Sequence, residues 1–151
     1  MRRAWRIVKE THAMAAFDGE GAWLFGGRWN SRGTRMVYAS ATRSLAALET
    51  LVHLNPPMRV RFVARSIEFD DHLVEVATGL PPDWKEEPPP PSTKRIGDRW
   101  ALEARTAVFE LPSALIPEES NYLLNPEHPD FKRIVLGAPE LFSFDPRLLG
   151  S

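Results

Sequence analysis

The chain has no cysteine among its 151 residues. Disulfide bonds, cysteine-ligated zinc and thiol catalysis are therefore excluded, and an intracellular setting is favoured. Long apolar runs are also missing. The basic start, Met1-Arg2-Arg3, is not followed by one, so the sequence predicts neither a signal peptide nor a membrane span. We expect a cytoplasmic protein that makes no contact with a membrane.

The chain also lacks an excess of either charge, with 19 Lys+Arg against 20 Asp+Glu. Without a broad basic surface, direct binding to nucleic acid is not expected. The four histidines show no metal-ligand spacing, so no metal site is expected either. The length predicts one domain that spans residues 1–151.

Apolar periodicity and proline clusters divide this domain into short elements. Strands are predicted over residues 4–8, 36–39, 60–69, 106–111, 134–136 and 141–144. Helices are predicted over residues 42–54 and 92–105, and a proline-rich stretch, residues 81–91, reads as an extended surface connector. The pattern indicates a compact α+β domain with short mixed or antiparallel strands and a few helices.

The first predicted helix has the clearer signals. Ser40 or Thr42 is placed to cap its start, and prolines at positions 56 and 57 end it. One apolar stripe is expected along it, formed at helical spacing by Leu45, Leu48, Leu51 and Val52.

Two other segments carry more specific expectations. Ser92 is the predicted cap of the second helix. The glycine-rich residues 18–33 are predicted to form an ordered loop, with four aromatic residues packed on the core. These are Phe17, Trp23, Phe25 and Trp29.

The most informative stretch is Gly26-Gly27-Arg28. Two residues without a Cβ allow a sharp turn and a close approach to a ligand, and the guanidinium offers a planar fork of donors that fits phosphate oxygens. This favours a small phosphorylated ligand over a metal. The alternative is an ordinary β-turn whose arginine is solvated.

Three further residues are candidates for chemistry. Tyr38 ends a predicted strand and is either a stacking surface with a solvated hydroxyl or a core tyrosine. Glu49 lies within the apolar helix and either edges into a cleft or stays on the surface. Ser113 has no base close in sequence, so it is a hydrogen-bonding wall residue or a simple turn serine rather than a nucleophile.

Taken together, these residues lie in segments that resemble the RES-domain family, which is named for an arginine, a glutamate and a serine. The similarity runs in order along nearly the whole chain. The matching segments are residues 27–30 (Gly-Arg-Trp-Asn), 37–39 (Val-Tyr-Ala), 47–49 (Ala-Leu-Glu), 96–100 (Ile-Gly-Asp-Arg-Trp), 111–114 (Leu-Pro-Ser-Ala), 121–126 (Asn-Tyr-Leu-Leu-Asn-Pro), 128–131 (His-Pro-Asp-Phe) and 144–148 (Phe-Asp-Pro-Arg-Leu).

The resemblance implies a fold related to ADP-ribosyltransferase toxins and a pocket for NAD⁺ as the substrate. It implies that Arg28, Tyr38, Glu49 and Ser113 are the catalytic residues. Gly27, Arg28, Tyr38, Ser113 and Asn121 are expected to line the NAD⁺ pocket. Ser120 is the rival for the position of the family serine.

The residue types suit cleavage of the nicotinamide–ribose bond. This reaction builds positive charge on the ribose, as glycoside cleavage does, and a carboxylate such as Glu49 stabilises that charge. Arg28 is expected to hold the pyrophosphate, and Tyr38 to stack on nicotinamide. Nicotinamide leaves as a neutral group, so no strong general acid is required.

The resemblance thus implies the toxin of a type II toxin–antitoxin system that depletes NAD⁺ by hydrolysis or phosphorolysis. One alternative is an ADP-ribosyltransferase that modifies a cellular protein, and another is a non-catalytic module that binds a nucleotide or a partner. The implied partner is an Xre-type helix-turn-helix antitoxin that covers the active site, and the resemblance leaves open a higher-order toxin–antitoxin complex.

Overall fold

An eight-stranded sheet forms the centre of the computed structural model, which describes residues 1–54 and 60–150. The strands are β1 (Arg2–Lys9), β2 (Val37–Ser40), β3 (Phe62–Phe69), β4 (Val74–Val76), β5 (Val108–Pro112), β6 (Ser120–Leu124), β7 (Val135–Leu136) and β8 (Glu140–Phe142). Seven of them follow the order β4-β5-β6-β2-β1-β3-β7, and β8 also pairs with β3. Only β4 and β5 pair in parallel within the described residues. The predicted α+β class with short mixed strands is confirmed.

Helices are few and short. The α-helices are α1 (Glu20–Phe25), α2 (Arg43–Leu51) and α3 (Pro91–Leu102). Single 3₁₀ turns lie at Glu10–His12, Asp71–Leu73, Pro129–Arg133 and Pro146–Leu149. None of the helices in the described residues has the length and apolar character needed to span a bilayer.

Helix α2 begins as predicted, because the Leu45 N–H donates to Thr42 Oγ1 at 3.0 Å. The predicted apolar stripe is wrong in part. Leu45 is buried, whereas Leu48 and Val52 are 41% and 56% exposed. The reason is that α2 turns Leu45 and Ala46 to the sheet and Leu51 packs beside them, so Leu48 and Val52 face outward. Helix α2 ends at Leu51, before the predicted end at residue 54, and the prolines at positions 56 and 57 lie outside the described residues.

Two local predictions are wrong. Residues 18–33 contain helix α1, which begins where the Glu20 N–H donates to Asp18 Oδ1. Trp23 and Phe25, expected in the core, are 41% and 75% exposed, so this helix has no apolar face that periodicity would reveal. Phe17 and Trp29 are buried as predicted.

Helix α3 begins at Pro91 and ends at Leu102, so Ser92 is not its cap and it does not reach residue 105. A proline at the first helical position needs no cap for its own nitrogen, because it has no N–H. The Ser92 hydroxyl instead donates to Asp83 Oδ1 at 2.6 Å.

The two faces of the sheet are filled differently, because alternate residues of a strand point to opposite sides. One face carries Val37, Ala39 and Leu124. It packs against Phe17, which precedes α1, and against residues of the segments between the strands, such as Leu73. The other face carries both longer helices. There α2 packs over β1 and β3, and α3 packs over β5 and β6.

The middle of this second face lies between the two helices. It is formed by β2 and β6, where Tyr38 pairs with Leu123 and Ser40 pairs with Asn121. Three polar side chains therefore lie side by side on a surface that is otherwise apolar. This strip of the sheet positions the candidate site.

Helix α3 approaches the chain near Trp29 more closely than a side chain would allow. A Cβ built on Gly97 would lie 1.7 Å from the Trp29 carbonyl oxygen. Backbone cannot yield as a flexible side chain does, so the helix and the loop would have to separate.

We therefore expect Gly97→Ala to lower the free energy of unfolding by about 3 kcal/mol, measured by urea denaturation. Gly21→Ala is the matched control, because a Cβ there would meet nothing within 4 Å and the site lies in a helix. The control should not lose stability. Equal stability of the two variants would contradict the close packing of α3 on Trp29.

Candidate active site

The carboxylate of Glu49, on helix α2, is held by two side chains. One is Asn121 of strand β6, and the other is Ser113, which follows strand β5. Glu49 Oε2 accepts hydrogen bonds from Ser113 Oγ at 2.8 Å and from Asn121 Nδ2 at 2.5 Å. The Ser40 hydroxyl donates to Asn121 Oδ1 at 2.7 Å, which turns the amide nitrogen toward Glu49. The carboxylate is half-buried and fixed in one orientation.

Ser113 is itself fully buried, and each of its bonding positions is used. It donates to Glu49 and accepts from the N–H groups of Leu115 and Ile116, both at 3.1 Å. A hydroxyl has a single proton to donate, so this serine orients Glu49 rather than facing open space. The rival serine, Ser120, donates to Glu110 at 2.7 Å and takes no part in the Glu49 cluster.

Tyr38 lies on the same face of β2 as Ser40, two residues away and hence about 7 Å along the strand. Its hydroxyl accepts from the Trp29 N–H at 3.0 Å and donates to Asn30 Oδ1 at 2.6 Å. Of the two alternatives for Tyr38, the structure supports the core tyrosine with a bonded hydroxyl and not the solvated one. Burial raises the pKa of Tyr38 well above its ordinary value.

Gly27 makes this arrangement possible, because a Cβ there would lie 2.6 Å from the Tyr38 hydroxyl oxygen. The predicted close backbone approach is present, but it is made to a tyrosine of the same chain. The loop of residues 26–31 is thereby pressed onto the sheet next to the Glu49 cluster.

Arg28 does not extend into solvent. Its Nη1 donates to the carbonyl oxygens of Trp84 at 3.1 Å and Glu86 at 2.7 Å, and its Nη2 donates to the Glu87 carboxylate at 2.9 Å. All three partners belong to the proline-rich connector, residues 81–91. The Trp84 ring stacks on the Trp29 ring, with the two ring centroids 6.4 Å apart, and this contact holds the connector against the loop.

A guanidinium has five N–H groups, and these three hydrogen bonds leave the Nε–H and one Nη2–H. A phosphate bound side-on uses the Nε–H and Nη2–H groups, and Nη2 is the nitrogen that also donates to Glu87. Arg28 is therefore oriented by the connector and retains donors for an anion.

Sequence reasoning missed the part that α3 plays in this site. The Thr93 hydroxyl donates to the Arg28 carbonyl oxygen at 2.6 Å, Lys94 Nζ donates to that of Gly27 at 2.6 Å, and the Ser31 N–H donates to Asp98 Oδ1 at 2.9 Å. Residues 93 and 97, and residues 94 and 98, are two pairs four apart, so they lie along one side of the helix. This spacing of polar residues along the helix is the signal in the sequence that could have indicated its contacts with the Arg28 loop.

The structure thus brings the predicted residues into two adjacent clusters. Glu49, Ser113 and Asn121 form the first, which we call the carboxylate cluster. Gly27 and Tyr38 belong to the second, which carries Arg28 on its loop.

The other described parts of the molecule are weaker candidates for a functional site. Across residues 1–54 and 60–150, no three histidine, aspartate or glutamate side chains converge as a metal site would require. One cavity of about 270 Å³ lies between Leu54, Phe62 and Phe144, and one of about 150 Å³ lies near Glu110 and Ser120. Neither is lined by Arg28, Tyr38 or Glu49.

The chain is similar to known proteins along nearly its whole length. The RES domain matches residues 3–145. A protein of Sphingobium sp. (strain YBL2) called "Prs ADP-ribosylating toxin" is 41% identical over 96% of this chain and 95% of its own length. "Toxin Res" of Yersinia enterocolitica is 36% identical over 95% of this chain and 97% of its own length.

A solved structure shares the fold. The crystal structure of the M. tuberculosis MbcT–MbcA toxin–antitoxin complex contains a chain that matches this one with a TM-score of 0.67, over 99% of this chain and 87% of that chain. The identity is 16%, so this likeness concerns the fold alone.

The buried hydroxyl of Tyr38 generates a test at alkaline pH. Burial raises the pKa of both tyrosines in the chain, Tyr38 and Tyr122. Both should form less phenolate at about pH 10 than free tyrosine, which is half ionised there. The unfolded chain loses these protons more readily than the folded chain, so the free energy of unfolding should fall as pH rises above about 10.

Absorbance of phenolate, recorded beside circular dichroism, checks this expectation, and Tyr38→Phe should weaken the pH dependence of stability. Phenolate that appears along the free-tyrosine curve in a still folded protein would contradict the hydrogen bonding of Tyr38.

Proposed function

The chain belongs to the RES-domain family, and we propose that it is the toxin of a toxin–antitoxin pair that cleaves the nicotinamide–ribose bond of NAD⁺. The observation that carries the proposal is the Glu49 carboxylate, fixed by Ser113 and Asn121 beside the loop of Arg28. We further propose that the whole chain acts as one RES domain.

The reaction follows from these residue types. The bond between ribose and nicotinamide breaks with its electron pair moving to nicotinamide, and positive charge develops on the ribosyl carbon and ring oxygen. A carboxylate held in place stabilises that charge without having to reorganise, which is our proposed role for Glu49. Arg28 would bind the pyrophosphate through its Nε–H and Nη2–H groups and so place the ribose beside Glu49.

The acceptor then completes the reaction. Water gives ADP-ribose and releases one proton, whereas inorganic phosphate gives ADP-ribose phosphate. Tyr38 is not proposed as a base, because burial raises its pKa and its hydroxyl donates a hydrogen bond to Asn30 Oδ1. Its proposed role is to hold the loop and to offer the edge of its ring to nicotinamide.

A second activity has support of its own. The Sphingobium relative is called an ADP-ribosylating toxin, and it is 41% identical to this chain. Transfer of ADP-ribose to a protein uses the same bond cleavage with a side chain as the acceptor. We therefore keep it as the alternative outcome of the experiments below.

We propose an antitoxin as the partner, of the Xre helix-turn-helix type, seated over the site. The neighbour of known structure is a toxin–antitoxin complex. In this chain, α1 precedes the Arg28 loop and exposes Trp23, Leu24 and Phe25 by 41%, 44% and 75%. Apolar side chains exposed beside a site suit coverage by a protein.

The direct test is product analysis by mass spectrometry. Protein freed of antitoxin is incubated with NAD⁺, with and without phosphate. We expect ADP-ribose or its phosphate, and a loss of about a hundredfold or more in rate for Glu49→Gln and for Arg28→Ala. Intact NAD⁺ in both conditions would contradict the proposal.

Labelled NAD⁺ added to a cell lysate separates the remaining readings. Label on a protein, lost with Glu49→Gln, would support the transferase. NAD⁺ that binds but is neither consumed nor transferred would point to a non-catalytic module.

The two serines give a matched pair for the role of the carboxylate cluster. Ser113→Ala removes a hydrogen bond to a charged group, so we expect kcat to fall by about tenfold or more, with KM little changed. Ser120→Ala removes a similar bond to Glu110 instead, and kcat should stay within about twofold.

Both serine variants should lose stability, Ser120→Ala by about 1 kcal/mol and Ser113→Ala by more, because Ser113 also accepts hydrogen bonds from the N–H groups of Leu115 and Ile116. Melting temperatures measured beside the kinetics thus separate orientation of Glu49 from a general weakening of the fold. Equal loss of kcat in both would contradict the assignment of Ser113.

A further inference from the structure

We propose that the Glu87 carboxylate occupies the position on Arg28 that a phosphate of the ligand takes, and that ligand binding displaces it. Glu87 would then be a residue of the connector that sets the affinity of the site for phosphorylated ligands. The proposal deepens the function proposed above and rests on it.

The contacts of Arg28 are of two kinds. The carbonyl oxygens of Trp84 and Glu86 are neutral and belong to the backbone. The Glu87 carboxylate is charged and belongs to a side chain. Among the ion pairs of the described residues, this is the one that Arg28 makes. The two kinds of partner therefore differ in how they respond to a competing anion.

A carboxylate and a phosphate bind the same N–H groups of a guanidinium. The Arg28 side chain is only 16% exposed, whereas that of Glu87 is 74% exposed. A side chain so exposed can rotate into water at little cost, because exposed ion pairs contribute about 0–1 kcal/mol. The carboxylate is thus a weak occupant that a phosphate can replace.

The backbone of the connector, by contrast, is fixed at several points. The Ser92 hydroxyl donates to Asp83, and Trp84 stacks on Trp29. The Thr93 hydroxyl also lies 3.1 Å from the carbonyl oxygen of Pro90. Only the Glu87 side chain therefore has to move, and the two carbonyl contacts keep Arg28 oriented while it does.

Calorimetric titration of ADP-ribose tests this directly. In Glu87→Gln the competing charge is gone, so we expect the Kd for ADP-ribose to fall by about fivefold. Glu86→Gln is the matched control, because Glu86 meets Arg28 through its backbone oxygen alone in the described contacts. It removes the same charge from the next residue, and its Kd should stay within about twofold of the unchanged protein.

Adenosine, which has no phosphate, serves as the control ligand and should bind both variants alike. With NAD⁺ as substrate, Glu87→Gln should lower KM and leave kcat unchanged. An equal gain in ADP-ribose affinity for both variants would overturn the proposal in favour of a general charge effect. An unchanged or weaker affinity of Glu87→Gln would also overturn it, as would the absence of ADP-ribose binding by the unchanged protein.

Binding and turnover fail independently in this design. A protein that leaves NAD⁺ intact but gains ADP-ribose affinity through Glu87→Gln would refute the proposed reaction and support the role of Glu87. A protein that consumes NAD⁺ but shows no such gain would do the reverse.

Discussion

The loop that carries Arg28 depends on one buried side chain, the amide of Asn30. This residue is fully buried, and its Nδ2 lies within hydrogen-bonding distance of the carbonyl oxygens of Ala22, Ser31 and Thr34. Its Oδ1 accepts the proton of the Tyr38 hydroxyl. A buried amide must have its donors and acceptor satisfied, so loss of any partner carries the cost of an unpaired polar group. The loop therefore has one arrangement that satisfies it, and Arg28 is placed as a consequence.

The sheet links this loop to the carboxylate cluster. Tyr38 and Ser40 share one face of β2, and Ser40 orients Asn121, which in turn holds Glu49. Helix α2 supplies the carboxylate from one side, and α3 supports the loop from the other. The positive charge of Arg28 and the negative charge of Glu49 are thus held at neighbouring parts of one face of the sheet. A ligand with both a pyrophosphate and a ribose requires such an arrangement.

Much of this was accessible from the sequence, and the reasons for the remainder are physical. Six of the eight strands, the Thr42 cap and the α+β class follow from local patterns, which depend on neighbours in the chain. Strands β4 and β6 were not predicted. Helix α1 was missed because its apolar residues are exposed, and the pattern of burial is the signal on which such predictions rely. The start of α3 at Pro91 and the use of Ser92 to bind Asp83 depend on the fold of the connector.

The site residues divide in the same way. Positions 28, 38, 49 and 113 were identified as candidate site residues from their segments, but their hydrogen-bond partners were not predicted. That Ser113 orients Glu49, that Tyr38 buries its hydroxyl and that Arg28 meets Glu87 are contacts between residues far apart in the chain. Contacts of that kind are set by tertiary packing, which residue spacing does not encode.

The central claim is that the loop of Arg28 and the carboxylate cluster form one site. A crystal structure of the antitoxin-free protein with ADP-ribose tests it most directly. We expect the pyrophosphate on Arg28, the distal ribose beside Glu49, and the Glu87 carboxylate turned away. ADP-ribose bound elsewhere, with the Arg28–Glu87 ion pair intact, would contradict it.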